Sequence, residues 1–364
     1  MGVNMSESTS EARYRLDELI STEILIHEPY SSIQIICDID KTYIETKFET
    51  PMAMLKIAFE NAEQKQTVTG APIALLAGRW GNFTSDQSNM QPNSLHFVSA
   101  SPPQLRKVIR SKLAMDGLDW SSDTFKNQAY NIKTRKLRFL KQHAAYKTAT
   151  ILKQMSRAAK NSQFILIGDN AELDAFIYLG VKLFVEKKLS LPAYREYLSL
   201  GGVNDEVLPT LEPYLQLDLD DLSVAGILIR KAPRYELVDA PPLTELVLPF
   251  DHFFEVILHF HAWGMVDQSM IWPISRQLHN EYGYTREDIV SALERCRDCF
   301  SKTNRGTLHI EEAIHRLSAD VPLGKLKEMK GFCPGLGIPD LNLSEAEILT
   351  ASKKWVEAIA NRKH

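Results

Sequence analysis

Two aspartates spaced two apart, Asp38 and Asp40, close the short apolar run Ile33-Gln34-Ile35-Ile36-Cys37. A β-branched run of this length reads as a buried strand. In open α/β sheets the carboxyl ends of such strands are where ligands bind. Carboxylates placed there are costly to bury unless a metal ion or hydrogen bonds compensate them. Strand alternation puts residues i and i+2 on one side, so both carboxyl groups can face one target. The alternative reading of Asp38-Ile39-Asp40-Lys41-Thr42 is a strand that ends in an Asx-type turn.

Three later stretches carry the same kind of residue. Leu95-His96-Phe97-Val98-Ser99-Ala100-Ser101-Pro102 is a second apolar run, ending in serine. Lys147 lies in a helical pattern that begins near His143. Phe164-Ile165-Leu166-Ile167-Gly168-Asp169 is a third apolar run, followed by Asn170-Ala171-Glu172-Leu173-Asp174. The order is therefore two aspartates, a serine, a lysine and two more aspartates. In that order the residues resemble the haloacid-dehalogenase (HAD) superfamily of phosphoryl-transfer enzymes. Thr69-Gly70-Ala71-Pro72, Gln104-Leu105 after the serine motif, and Ile151 after Lys147 narrow the likeness. With them the stretch from about 31 to 185 resembles the catalytic domain of the actin-patch-associated phosphatidate phosphatases and their bacterial relatives. Lys41 stands where that family usually has a further acid. Asn170-Ala171 stands in place of Ser-Gly, and Tyr146-Lys147 in place of His-Lys, with His143 the nearest histidine.

The resemblance implies an α/β fold: a HAD-like Rossmannoid parallel sheet with flanking helices and a small cap or none. It also implies phosphate-monoester hydrolysis through an aspartyl phosphate. Asp38 would be the nucleophile, and Asp40 the general acid and base. Ser99 and Lys147 would hold the phosphoryl oxygens, with Ala100 and Thr42 beside them in the substrate-binding set; Thr42 serves chiefly to stabilise the turn. Asp38, Asp169 and Asp174, with the main-chain carbonyl of Asp40, would hold Mg²⁺, a metal suited to oxygen ligands. The expected partner is a phosphorylated substrate, with a phospholipid among the candidates and contact at the membrane periphery. The same chemistry on a protein, sugar or nucleotide phosphate is the alternative. A non-catalytic binding protein working through its C-terminal half is the rival from another class.

Composition sets outer bounds. The 364 residues are 44% hydrophobic and 24% charged, ordinary for a globular chain with room for two domains. A net charge of −4 gives no basic footprint for nucleic acid and no general attraction to anionic membranes. No apolar run reaches the roughly 18 residues of a spanning helix. Four cysteines do not make a disulfide scaffold, so a cytoplasmic location is the default expectation. Met1-Gly2-Val3-Asn4-Met5-Ser6 fits an N-myristoylation pattern, although an ordinary polar start explains it as well. The expected organisation is an N-terminal segment over 1–30, with a helix within 11–28, the phosphatase domain over 31–185, and a mainly helical C-terminal domain over 186–364.

Helices are expected from about Pro51 to Gln66, after Gly70, and from Pro102 to Gly117, with Ser101 as the N-cap of the last. The basic run Lys133, Arg135, Lys136, Arg138 and Lys141 reads first as a solvated face and second as a collector of anionic substrate. His252, His259 and His261 read as packing residues among aromatics. Cys296-Arg297-Asp298-Cys299 is a lone pair of cysteines with no partner pair for zinc.

Overall fold

The structure is a computed structural model that describes residues 20–26, 31–45, 65–81, 92–127, 143–297 and 341–362. Among the described residues, seven strands form one sheet in the order β1-β4-β3-β2-β5-β6-β7. These are β1 (Ile20–Ile24), β2 (Ile33–Asp38), β3 (Ser94–Ser99), β4 (Ser122–Lys126), β5 (Gln163–Asp169), β6 (Ser223–Arg230) and β7 (Leu248–Phe250). Every neighbouring pair is parallel except β1 with β4. The apolar runs seen in the sequence are the central strands β2, β3 and β5, buried on both faces as parallel strands are.

Alternation along those strands divides the interior in two. Ile35, Cys37, Leu95, Phe97, Ile165 and Ile167 face one core. Helices α1 (Ala71–Trp80), α2 (Arg106–Met115), α7 (Phe253–Ala262), α8 (Gln268–Tyr282) and α9 (Arg286–Arg295) cover it. Ile36, Val98, Phe164 and Leu166 face the other core. That side is covered by α3 (His143–Met155), α4 (Asp174–Val185), α5 (Leu191–Leu200), α6 (Leu208–Leu215) and α10 (Glu345–Asn361). The doubly wound α/β architecture expected from the sequence is present, with a C-terminal region that is mostly helical.

One local expectation is corrected. The expected helix within 11–28 is replaced, over its described part, by strand β1, paired with β4 in the register Ile20↔Lys126 to Ile24↔Ser122. Ile20, Thr22 and Ile24 are β-branched and favour a pleated surface, and Thr22 meets Thr124 across the pair at 3.0 Å. The stretch 186–364 is, over its described residues, mainly helical as expected, and it also supplies strands β6 and β7, which extend the same sheet beyond β5. The prolines and acids around Val224-Ala225-Gly226-Ile227-Leu228-Ile229 hid a fourth apolar run. Within it Gly226 is needed for space: a Cβ there would stand 2.2 Å from the Trp263 ring.

Helix α1 starts where Gly70 turns the chain (φ 81°) and carries proline in its first turn. Leu105, Ile109 and Leu113 are buried as their spacing requires, and Gly117 ends that element with φ 78°. The helix expected over Pro51–Gln66 falls outside the described residues except at its last two positions, and the cap expectation falls outside with it. The basic run at 133–141 also lies outside them.

Candidate active site

The sheet order turns back at β2 and β5, which are neighbours although about 125 residues of chain separate them. At such a switch point the flanking connections leave in opposite directions and open a crevice at the carboxyl ends of the strands. Every acid singled out in the sequence arrives there. Asp38 ends β2 and is 2% exposed. Asp169 ends β5, and Asp174 opens α4; both are fully buried. Ligand oxygens of these three carboxylates lie within 4.8 Å of one another.

Lys147 reaches this cluster from the first half of α3. Its Nζ is 2.9 Å from Asp38 Oδ1 and 2.5 Å from Asp174 Oδ1, with Glu172 Oε2 at 3.5 Å. His143 is one turn earlier on the same face of α3, and its Nδ1 is 3.5 Å from the same Glu172 oxygen. Tyr146 faces the sheet instead: its hydroxyl donates to the main-chain carbonyls of Ser99 (2.9 Å) and Thr124 (3.3 Å). It thereby fixes α3 to the ends of β3 and β4.

The loop from Asp169 to Asp174 is tied to itself. The main-chain N–H groups of Ala171 and Glu172 donate to Asp169 Oδ1, at 2.6 and 3.3 Å. The N–H of Asp169 donates to Asp174 Oδ2 at 3.3 Å. Gly168 makes room for this arrangement, because a Cβ there would lie 2.5 Å from Asp174 Oδ2 and 2.8 Å from Tyr178. Thr42, expected as a turn stabiliser, sends its hydroxyl to Asp169 Oδ2 at 3.4 Å and so links the two loops.

Asp40 lies two residues beyond the end of β2, just before the turn in which Lys41 adopts φ 61°. Its Oδ2 accepts from Ser99 Oγ at 2.9 Å and from Ser101 Oγ at 3.0 Å. Ser101 also donates its N–H to Ser99 Oγ at 3.0 Å. Ser101 was expected to cap a helix. It serves Asp40 instead, and a short 3₁₀ turn at Pro103–Leu105 precedes α2 without it. Ala100 lies half-buried between the two serines.

Charge in this crevice is unbalanced. Burial pushes the Asp38 carboxyl well above the usual range; Lys147 opposes this, and Asp174 and Asp169 add to it. Asp174 is also raised, first by burial. Asp169 is raised to about 7 by burial, Asp174 and Glu172. Burial works against charge on Lys147, but Asp174 and Asp38 outweigh it and hold the ammonium charged. Glu172 is the exception: its cationic neighbours Lys147, His143 and Lys41 outweigh burial and hold it down at about 2. Three buried carboxylates against one buried lysine leave an excess of negative charge, and all three offer oxygen donors. That is the environment a hard divalent cation relieves, so the residues fit Mg²⁺.

The comparisons with known proteins agree with this arrangement. Residues 33–187 match the family model for the catalytic domain of phosphatidate phosphatase APP1. This APP1-like stretch is somewhat under half of the chain and contains Asp38, Asp40, Thr42, Ser99, Ala100, Lys147, Asp169 and Asp174. No curated protein and no solved structure matches the chain.

Several residues around the site were not assigned from sequence. Glu172 and Ser101 lie inside the motif stretches, and each could have been paired with a neighbour of the same chemistry, Asp174 and Ser99. Lys126, buried at the end of β4 with Nζ 5.6 Å from the Tyr146 ring centroid, is lowered to about 8 by burial and by Lys147. Arg230, Tyr235 and Arg362 lie beyond the APP1-like stretch and carry no local signal. Arg230 donates to the main-chain carbonyl of Lys41 at 2.5 Å and pairs with Glu45. Arg362 donates to the carbonyls of Asn170 and Ala171. His252, His259, His261 and Cys296 make their contacts outside the crevice. His259 stacks on Trp263, and His261 bonds the Val266 carbonyl at 2.8 Å, as packing residues do. Cys296 is buried in the core, and Cys299 lies outside the described residues. Among those residues no helix is long and apolar enough to cross a membrane.

Proposed function

We propose that this protein is a Mg²⁺-dependent phosphatase that cleaves a phosphate monoester through an aspartyl phosphate, with phosphatidate as the leading substrate. The observation that carries this reading is Lys147 set between Asp38 and Asp174, with Asp169 beside them, inside a stretch that matches a phosphatidate phosphatase catalytic domain.

In this reading an Asp38 carboxylate oxygen attacks phosphorus, and the bond from phosphorus to the ester oxygen breaks. Asp40 gives its proton to the leaving alcohol. Ser99 and Ser101, both donating to one oxygen of Asp40, hold the carboxyl group in place for that transfer. Asp40 then takes a proton from water, whose oxygen attacks the phosphorus of the acyl phosphate. Phosphate leaves, and the Asp38 carboxylate is restored. Lys147, buried and already charged, offsets the repulsion between an anionic nucleophile and an anionic ester. Asp38, Asp169 and Asp174 would hold Mg²⁺, which supplies charge neutralisation at the transferring phosphoryl group.

The test is phosphate release from phosphatidate-containing vesicles, a small aryl phosphate and a phosphopeptide, with wild type and Asp38→Asn. Release that requires Mg²⁺ and disappears in Asp38→Asn supports the mechanism, and the preferred substrate separates lipid from soluble esters. Folded protein that releases phosphate from none of them would refute it.

A further inference from the structure

The APP1-like stretch ends at 187, yet both loops that carry the acids are fastened from beyond it. The first loop follows β2 and holds Asp40, Lys41 and Thr42. Arg230, at the end of β6 and 7% exposed, donates to the Lys41 carbonyl at 2.5 Å and pairs with Glu45 across the same turn. Lys41 is the position with φ 61°, a conformation that a side-chain-bearing residue holds only where its surroundings enforce it. The second loop follows β5 and runs from Asp169 to Asp174. Arg362, just past α10, donates to two successive carbonyls of it, Asn170 and Ala171. The peptide groups that carry these carbonyls turn their N–H ends inward: those of Ala171 and Glu172 donate to Asp169 Oδ1 at 2.6 and 3.3 Å.

The two fasteners meet on the turn after β6. Asn170 Nδ2 donates to the Tyr235 carbonyl at 3.0 Å, and the Ala232 N–H donates to Asn170 Oδ1 at 2.7 Å. The Tyr235 ring takes Lys41 Nζ at 5.1 Å from its centroid and the Arg362 guanidinium at 5.2 Å, both within the range of cation–π attraction. One tyrosine therefore touches the first loop through Lys41 and the clamp on the second loop through Arg362.

We infer that Arg230, Tyr235 and Arg362 are positioning residues, and that residues beyond 187 serve the site by clamping both acid-bearing loops from outside so that Asp169 and Asp174 converge with Asp38. This rests on the metal reading proposed above. Groups one layer out from metal ligands act by orienting them, and their loss typically lowers metal affinity about 10–100-fold. A guanidinium bridges two carbonyls with fixed forked donors, which an ammonium cannot reproduce.

The test uses the full chain and measures Mn²⁺ binding by calorimetry for wild type, Arg362→Ala, Arg362→Lys and Tyr235→Leu. Unfolding midpoints in chelator are recorded for each. Arg362→Ala is expected to weaken Mn²⁺ binding about tenfold or more, with its metal-free midpoint near wild type. Arg362→Lys should recover only part of the loss, and Tyr235→Leu should fall between them. If Arg362→Ala and Tyr235→Leu bind Mn²⁺ as wild type does, the clamp has no role in positioning, and the metal reading stands without it. If wild type binds no Mn²⁺, both fall together.

Discussion

Lys147→Met removes the ammonium and keeps most of the side-chain volume. The lysine is 1% exposed and stands 2.9 Å from Asp38 and 2.5 Å from Asp174, both buried. At an effective dielectric constant of about 20, one charge pair near 4 Å is worth about 4 kcal/mol. Removing one member of a buried pair costs about 3–5 kcal/mol, because the other is left charged and dry. In metal-free protein at pH 8 the variant should therefore lose about 3–5 kcal/mol. The loss should shrink at pH 5. Asp38 and Asp174 already hold their protons tightly, and without the lysine they hold them more tightly still. Once they are protonated, what remains is the packing change, below about 1.5 kcal/mol for a volume-conserving swap, and the lost pairing with Glu172, which stays charged at pH 5. Saturating Mg²⁺ should recover part of the loss at pH 8, and phosphate release should be abolished. Urea unfolding at both pH values, in chelator and in Mg²⁺, measures all of this. An equal loss at pH 5 and pH 8 would refute the reasoning, since a charge left unpaired must lose its cost when it is neutralised.

Wild-type protein should itself be pH-sensitive without metal. Asp169 is raised from 3.8 to about 7, so its folded form binds the proton more tightly, and the stability it contributes is complete below pH 4 and lost as pH rises through about 7. Three pKa units correspond to on the order of 4 kcal/mol. The thermal midpoint in chelator should fall from pH 5 to pH 8, and Mg²⁺ should flatten the fall; curves that coincide with and without the ion would count against a metal at this site. Glu172, held at about 2, has its contribution intact across that range and does not reverse the trend. Gly168→Ala should push Asp174 aside, since the new Cβ would sit 2.5 Å from its Oδ2. The expected outcome is a stability cost of about 1–3 kcal/mol together with loss of Mn²⁺ binding in calorimetry, and retained binding would show that Asp174 is not a ligand.

The acids were legible because the chemistry that needs them also fixes their setting. Asp38, Ser99 and Asp169 each end an apolar run, and a run buried on both faces can only be a central strand. Lys147 could be placed because helical periodicity gave α3. The strands β6 and β7 were not legible, because Ser223–Arg230 is embedded among acids and prolines whose loops hide its apolar centre. Strand β1 was missed because five residues are too few to establish a period. The Arg230 and Arg362 contacts could not be read at all. Each spans more than 180 positions, and an arginine that bonds a distant carbonyl looks in sequence like any surface arginine. Ser101 was misread because a serine before Pro102-Pro103 fits a helix cap by local rules, and only the fold shows that Asp40 competes for its hydroxyl.

The position of β2 and β5 at the centre of the sheet bears on when the site comes into being. Their ladder, Ile33↔Gln163 to Cys37↔Ile167, closes a loop of about 130 residues, and β3 and β6 flank it on either side. Closing so long a loop costs chain entropy before any contact rewards it, so such pairings form late and slowly. Asp38 and Asp169 stand one and two residues beyond that ladder's last rung, Cys37↔Ile167. Their meeting is therefore a product of the whole fold, and the amides around them exchange with water only when the central sheet opens. Motion that admits and releases a ligand must come from segments outside this ladder, while the two carboxylates stay fixed on the central sheet.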